Sequence, residues 1–219
     1  MISKAAAIGT VGVASAGGVG AWYALSKDKE VISISKKIEV QGERFILSTS
    51  ENTHDTQWGS LITSYTQILS SNPDKKPLIK EFSKQAPTQD SLKGWCKNQA
   101  KEDHEQKERF DSFREWCTKD NISQHIRTST RLKRSPLTLG DSEWENKKTT
   151  YISSATSDNQ ITDAKGQKID KTALKEVKDL QEWCFKNAKE LHTDENSHTF
   201  KAYKEWCTKD IAVTTSSET

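Results

Sequence analysis

The four cysteines are the side chains with the most chemistry to offer, and each follows a tryptophan: Trp95-Cys96, Trp116-Cys117, Trp183-Cys184 and Trp206-Cys207. Cys96, Cys117 and Cys184 are each followed eight residues on by a histidine (His104, His125, His192), whereas Cys207 meets Thr215. Eight residues of helix rise about 12 Å with a poor angular match, so these pairs do not chelate locally and no metal is expected. A cysteine nucleophile needs one activated thiol in an asymmetric pocket. Four equivalent Trp-Cys dipeptides lack that asymmetry, and no enzyme is predicted. The clustered glycines (Gly9, Gly12, Gly17, Gly18, Gly20) fall in an apolar N-terminal run, not in a phosphate-cradling loop, so no cofactor is expected.

Disulfide chemistry remains. An even set of cysteines suits an oxidising compartment. Cys96 and Cys117 would lie roughly 30 Å apart on one continuous helix, whereas a disulfide needs Cα atoms about 4.4–6.8 Å apart. They can pair only if the chain reverses within the polar run Lys101–Arg109; Glu190–Thr199 offers the same reversal to Cys184 and Cys207. Four cysteines allow three pairings, and repeat symmetry favours Cys96–Cys117 and Cys184–Cys207. Each such bridge closes a loop of about 22–24 residues and contributes roughly 3 kcal/mol by restricting the unfolded chain. Buried reduced thiols are the alternative, and would hold in a cytoplasmic domain.

The elements that position these thiols come twice. Asp55-Thr-Gln-Trp58 is answered by Asp141-Ser-Glu-Trp144, with Tyr65 and Tyr151 seven residues after each tryptophan. Trp95-Cys96 is answered by Trp183-Cys184, with Ala100, Lys101, Glu102 and His104 matched by Ala188, Lys189, Glu190 and His192. Phe110 and Phe113 match Phe200 and Tyr203, and Glu115-Trp-Cys-Thr-Lys-Asp120 recurs unchanged as Glu205-Trp-Cys-Thr-Lys-Asp210. The offset grows from 86 through 88 to 90, so two short insertions separate the copies.

Within a copy the apolar period is helical. Trp58, Leu61, Ile62, Tyr65, Ile68 and Leu69 form one stripe, with Asp55 (Asp141 in the second copy) as N-cap. Leu92, Trp95 and Cys96 open a second helix, matched by Leu174, Val177, Leu180, Trp183, Cys184, Ala188 and Leu191; Phe110, Phe113 and Cys117 mark a third. The first helix of the second copy reads weaker, because Lys147 and Lys148 replace Leu61 and Ile62. Trp58, Trp95, Trp116, Trp144, Trp183 and Trp206 read as structural core rather than ligand-stacking platforms.

Ahead of the copies, Ala5–Leu25 is uncharged between Lys4 and Lys27, long enough to cross a hydrocarbon core, with small residues four apart and Trp22-Tyr23 at its end. We read it as an uncleaved anchor; the rival is a signal peptide cut near Ala14-Ser15-Ala16. Lys27, Lys29, Lys36 and Lys37 favour a cytoplasmic C-terminal domain, whereas the cysteines favour export and are weighted more heavily. The expected fold is therefore all-α: a single transmembrane helix, then two tandem small helical bundles. The divisions are an anchor or signal at 1–27, a polar linker at 28–50, repeat 1 at 51–126, a basic joint at 127–138 (Arg127, Arg131, Lys133, Arg134) and repeat 2 at 139–214.

The chain is lean, 32% hydrophobic and 29% charged, and small thin-cored domains usually need a staple. Its net charge of +2 comes from balanced acids and bases, which excludes the concentrated basic face of a nucleic-acid binder. The Gly/Ala-rich N-terminal span, the Asp-x-x-Trp…Tyr starts and the four Trp-Cys pairs resemble the paralogous uncharacterised proteins of haemotropic mycoplasmas. That resemblance implies lineage and a host-facing, surface-variable protein, not an activity. The expectation is a membrane-anchored, surface-exposed single-pass protein with extracellular C-terminal domains, meeting a protein partner on a host surface or acting as an antigen. Its alternative is an intracellular membrane-tethered structural protein with reduced cysteines.

Overall fold

The computed structural model describes residues 31–71 and 77–211. The chain divides into two units, Met1–Glu30 and Val31–Thr219, and the described residues belong to the second. They form one six-element unit twice over. Repeat 1 runs α1 (Ile34–Gln41), β1 (Arg44–Ile46), α2 (Asp55–Ser71), α3 (Gln89–Gln99), α4 (Lys107–Trp116) and β2 (Thr118–Asp120). Repeat 2 runs α5 (Ile122–Thr128), β3 (Arg134–Pro136), α6 (Trp144–Ser154), α7 (Val177–Asn187), α8 (His198–Trp206) and β4 (Thr208–Asp210).

Local chemistry sets these elements. Ser33 caps α1 by accepting the Lys36 N–H, and Gly42 closes that helix in the left-handed region at φ 66°. Asn121, Thr88 and Ser197 cap α5, α3 and α8 in the same manner. α2 buries Trp58, Leu61, Tyr65 and Ile68, while its outer Thr63, Ser64, Thr66 and Ser70 hydroxyls donate back to carbonyls four residues earlier. Asp55 is not the cap expected of it: it lies inside α2 and holds Lys93 Nζ at 2.8 Å and Gln89 Nε2 at 2.6 Å. Asp141 precedes α6 and accepts from the Thr138 N–H at 2.6 Å. Each repeat encloses its own buried cluster, one built on Ile34, Trp58, Tyr65, Phe113 and Trp116, the other on Ile122, Trp144, Tyr151, Phe200 and Trp206. Leu191 of repeat 2 packs on the first cluster, tying the two together.

The structure corrects the all-α expectation. β1 pairs antiparallel with β2, Arg44 opposite Asp120 and Ile46 opposite Thr118; β3 pairs with β4, Arg134 opposite Asp210 and Pro136 opposite Thr208. Three-residue strands are too short to show an alternating pattern in sequence. The membrane-spanning expectation is corrected as well. No helix among the described residues is long and apolar enough to cross a membrane. Their longest, α2, has 17 residues and a hydroxyl-lined outer face. The segment 1–27 on which that expectation rested lies outside the described residues, and the single-pass membrane placement is withdrawn. Residues 28–50, read as a linker, hold α1 and β1, and residues 127–138, read as a joint, hold the end of α5 and all of β3.

Candidate functional site

The hexapeptide Glu-Trp-Cys-Thr-Lys-Asp sits where α4 passes into β2 and where α8 passes into β4, and its side chains account for its recurrence. Cys117 bonds to Cys96 and Cys207 to Cys184, with Cα separations of 5.7 and 5.5 Å. Each bridge joins the C-terminal half of one helix, α3 or α7, to the residue that caps the end of the next, α4 or α8. With every thiol bonded, no cysteine is free to ligate metal or attack a substrate. The tryptophans beside Cys117 and Cys207 reach the other way. Trp116 Nε1 donates to the Pro77 carbonyl at 2.6 Å and Trp206 Nε1 to the Asn159 carbonyl at 2.5 Å, fixing the loop after the first long helix. Tyr65 and Tyr151 sit against those indoles, ring centroids 4.6 and 5.2 Å apart. Burial pushes both phenols above their ordinary range.

Thr118 and Thr208 are fully buried, and each accepts an arginine: Arg44 Nε at 2.9 Å and Arg134 Nε at 2.6 Å. The same guanidiniums pair with Asp120 and Asp210. Lys119 Nζ reaches Ser60 Oγ at 3.0 Å, and Lys209 pairs with Asp141, whose carboxyl it holds down at about 2. The Leu47 and Leu137 N–H groups donate to the Cys117 and Cys207 carbonyls at 3.0 and 2.8 Å, extending each ladder up to its disulfide. Arg44 and Arg134 were missed as functional positions because they fall in stretches read as linker and joint. Their common offset of 90, shared with Leu47 and Leu137, was the available signal.

The remaining predicted core tryptophans separate. Trp58 and Trp144 are buried and donate to Ser48 and Thr138 carbonyls at 3.0 and 2.7 Å, closing the strand-to-helix loop of each repeat. Trp183 donates to the Thr162 carbonyl at 2.8 Å. Its counterpart Trp95 has a buried indole nitrogen with no hydrogen-bond partner among the described residues. In repeat 1 the corresponding position is Lys80, whose carbonyl accepts from Ser83 inside a 3-10 turn.

The histidines that follow the cysteines are not arranged as ligands. His104 Nδ1 bonds the Ile32 carbonyl at 2.9 Å. His125 and His192 stack face to face, centroids 3.6 Å apart and 17° from parallel, against Phe200. His125 Nε2 lies 3.0 Å from Glu195, which also receives Arg131. Among the described residues, no group of three His, Cys, Asp or Glu side chains is placed to hold a metal ion. Two open grooves flank this frame: about 410 Å³ lined by Asp55, Gln89, Lys93 and Lys97, and about 480 Å³ lined by Lys36, Val40, Arg44, Asn121 and Lys189. Both are open; the first is lined about evenly by polar and apolar surface and the second more by apolar surface. Asp55–Lys93, Lys36–Glu39 and Arg44–Asp120 are paired along them.

The chain matches no family model, no curated protein and no solved structure. The site's geometry therefore carries the functional argument.

Proposed function

We propose that this chain is a disulfide-stapled tandem-repeat binding protein that works where its thiols stay oxidised, and that it meets a protein partner through its outer surface rather than performing a reaction. A host-surface protein or an antibody is the partner class that its motif resemblance implies. One observation carries the reading: the aromatic, cysteine, threonine and arginine side chains shared by the two repeats are engaged inward, while the exposed apolar ones differ. The shared Trp, Cys, Thr, Arg and Tyr side chains hold loops, ladders and helix pairs, as the bonds of Trp116, Trp206, Arg44 and Arg134 illustrate. Exposed apolar side chains such as Val40, Leu139 and Ile152 belong to one copy only, since Thr128, Thr49 and Thr66 stand at the matching places. A frame kept constant under a surface free to diverge is the arrangement of an interaction scaffold.

Site-specific photo-crosslinking tests it. Benzoylphenylalanine placed in the full chain at Val40, Leu139 or Ile152, in its native cells and their surroundings, is expected to give a discrete protein adduct that disappears on reduction of the disulfides. Failure of all three positions to give an adduct, or an adduct indifferent to reduction, contradicts the proposal.

A further inference from the structure

The stacked histidines lie at the joint between the repeats. β2 ends at Asp120 and α5 starts at Ile122, so repeat 2 begins where repeat 1 stops. Three backbone bonds close that joint: Ile122 N–H to the Glu190 carbonyl at 3.0 Å, Ser123 N–H to Ala188 at 3.1 Å, and His192 N–H to Asp120 at 3.1 Å. Repeat 1 makes the same three bonds at its own start, from Ile34 to Glu102, Ser35 to Ala100 and His104 to Ile32. The side chains behind the bonds differ. In repeat 1, Lys37 stands where His125 does, and the His104 ring has a carbonyl partner. In repeat 2 two imidazoles are stacked, and His192 Nδ1 is buried without a hydrogen-bond partner among the described residues.

We propose that the His125–His192 stack is an acid-sensitive latch, which holds segment 191–197 and the inter-repeat joint closed while His192 is neutral and releases them when His192 is protonated. The surroundings are complete enough to assign the direction. α5 contributes His125; the loop after α5 contributes Arg131, bound to Glu195; β2 contributes Asp120, already paired with Arg44; the loop after α7 contributes Asp194 and Glu195; α8 contributes the Phe200 ring. Glu195 offers His125 Nε2 an acceptor, whereas His192 Nδ1 has none. A proton on His192 Nδ1 would leave a desolvated N–H on a cation whose ring stacks 3.6 Å, centroid to centroid, from that of His125. Burial first, and the His125 charge second, hold His192 below its ordinary value of 6.5. A histidine depressed in the closed state binds its proton more readily once released. Closure is therefore fully supported above about pH 6.5 and is lost as pH falls from there through the lowered value.

Repeat 1 is the internal control. Amide hydrogen exchange of the full, oxidised chain at pH 7.5 and 5.5, corrected for intrinsic rates, reads the three bonds in both repeats at once. The expected result is a fall in protection at Ile122, Ser123 and His192, up to about tenfold because pH 5.5 lies one unit below the released value, with Ile34, Ser35 and His104 unchanged. Equal change in both sets, or none, overturns the latch. The H192F variant keeps an aromatic ring against His125 and Phe200 but cannot titrate. Its joint amides should be as protected at pH 5.5 as at 7.5; persistence of the acid loss in H192F also overturns the proposal. The wild-type comparison decides even if that variant does not fold.

Discussion

The first long helix is the place where the two repeats part most clearly. In repeat 1, α2 runs for 17 residues and buries Trp58, Leu61, Tyr65 and Ile68. In repeat 2, α6 runs for 11 residues and buries only Trp144 and Tyr151, because Lys147 and Lys148 stand where Leu61 and Ile62 do. Neither lysine is wasted: Lys147 Nζ donates to the Glu205 carbonyl at 2.7 Å near the end of α8, and Lys148 reaches the Lys175 carbonyl. Burial pulls Lys147 below its ordinary range. The disulfide, the Arg-Thr-Asp cluster and the indole-to-loop bond are nevertheless the same in both. The fold therefore tolerates a shortened first helix while its covalent and polar frame is intact, and repeat 2 depends on that frame more heavily.

Removing the bridges breaks this comparison most strongly. C184A/C207A and C96A/C117A are each expected to lose roughly 3 kcal/mol, their closed loops being of nearly equal length, and C184A/C207A should unfold at the lower temperature because α6 buries two side chains where α2 buries four. Thermal unfolding followed by far-ultraviolet circular dichroism measures both; a lower Tm for C96A/C117A reverses the ranking of dependence. Next comes the arginine pair. Arg44→Gln should cost about 1.5–3 kcal/mol through its charged hydrogen bonds. Arg134→Gln should cost less, because Asp210 is 86% exposed whereas Asp120 is 35% exposed. Urea unfolding of the two variants would show equal losses if the exposure of the carboxylate were immaterial.

A smaller difference separates the unmatched indoles. Trp183→Phe leaves the Thr162 carbonyl without its donor and should cost about 1 kcal/mol, whereas Trp95→Phe removes an N–H with no partner among the described residues and should stay within about 0.5 kcal/mol. Chemical denaturation of both variants distinguishes these outcomes. The smallest effect concerns pH. Lys209 and Thr138 hold Asp141 at about 2, below its ordinary 3.8, so the unfolded chain takes up the proton first. The stabilisation is present above pH 3.8 and is lost as pH falls towards 2. Asp141→Asn should flatten the stability profile in that window and lower Tm above it, where the carboxylate's contribution is missing; a Tm profile from pH 7 to 2 checks this.

How much of this was legible in the sequence depends on the length of each signal. The Trp-Cys dipeptides and the unchanged hexapeptide repeat at nearly constant offset, so the twofold plan and the favoured cysteine partners could be read from symmetry. Long amphipathic stripes marked α2, α3, α4, α7 and α8. α1 could not be seen this way, because it buries only Ile34 and Ile38 among charged neighbours. β1 to β4 have three residues each, and their stability comes from arginine and threonine side chains rather than an apolar alternation. The His125–His192 stack was invisible for another reason: it exists only because repeat 2 starts directly at the end of β2, a fact of tertiary packing. The N-terminal apolar run gave a strong hydropathy signal, but a signal of that kind says nothing about which described helix could cross a membrane, and none can.

The central claim is that each repeat is closed by its own disulfide within one shared frame. Peptide mapping under non-reducing conditions, on protein alkylated as it is taken from its native cells, tests it most directly. The account predicts two cross-linked peptides, one carrying Cys96 with Cys117 and the other Cys184 with Cys207, and no alkylated cysteine. Alkylated thiols at these positions, or a bridge running from one repeat to the other, would contradict it.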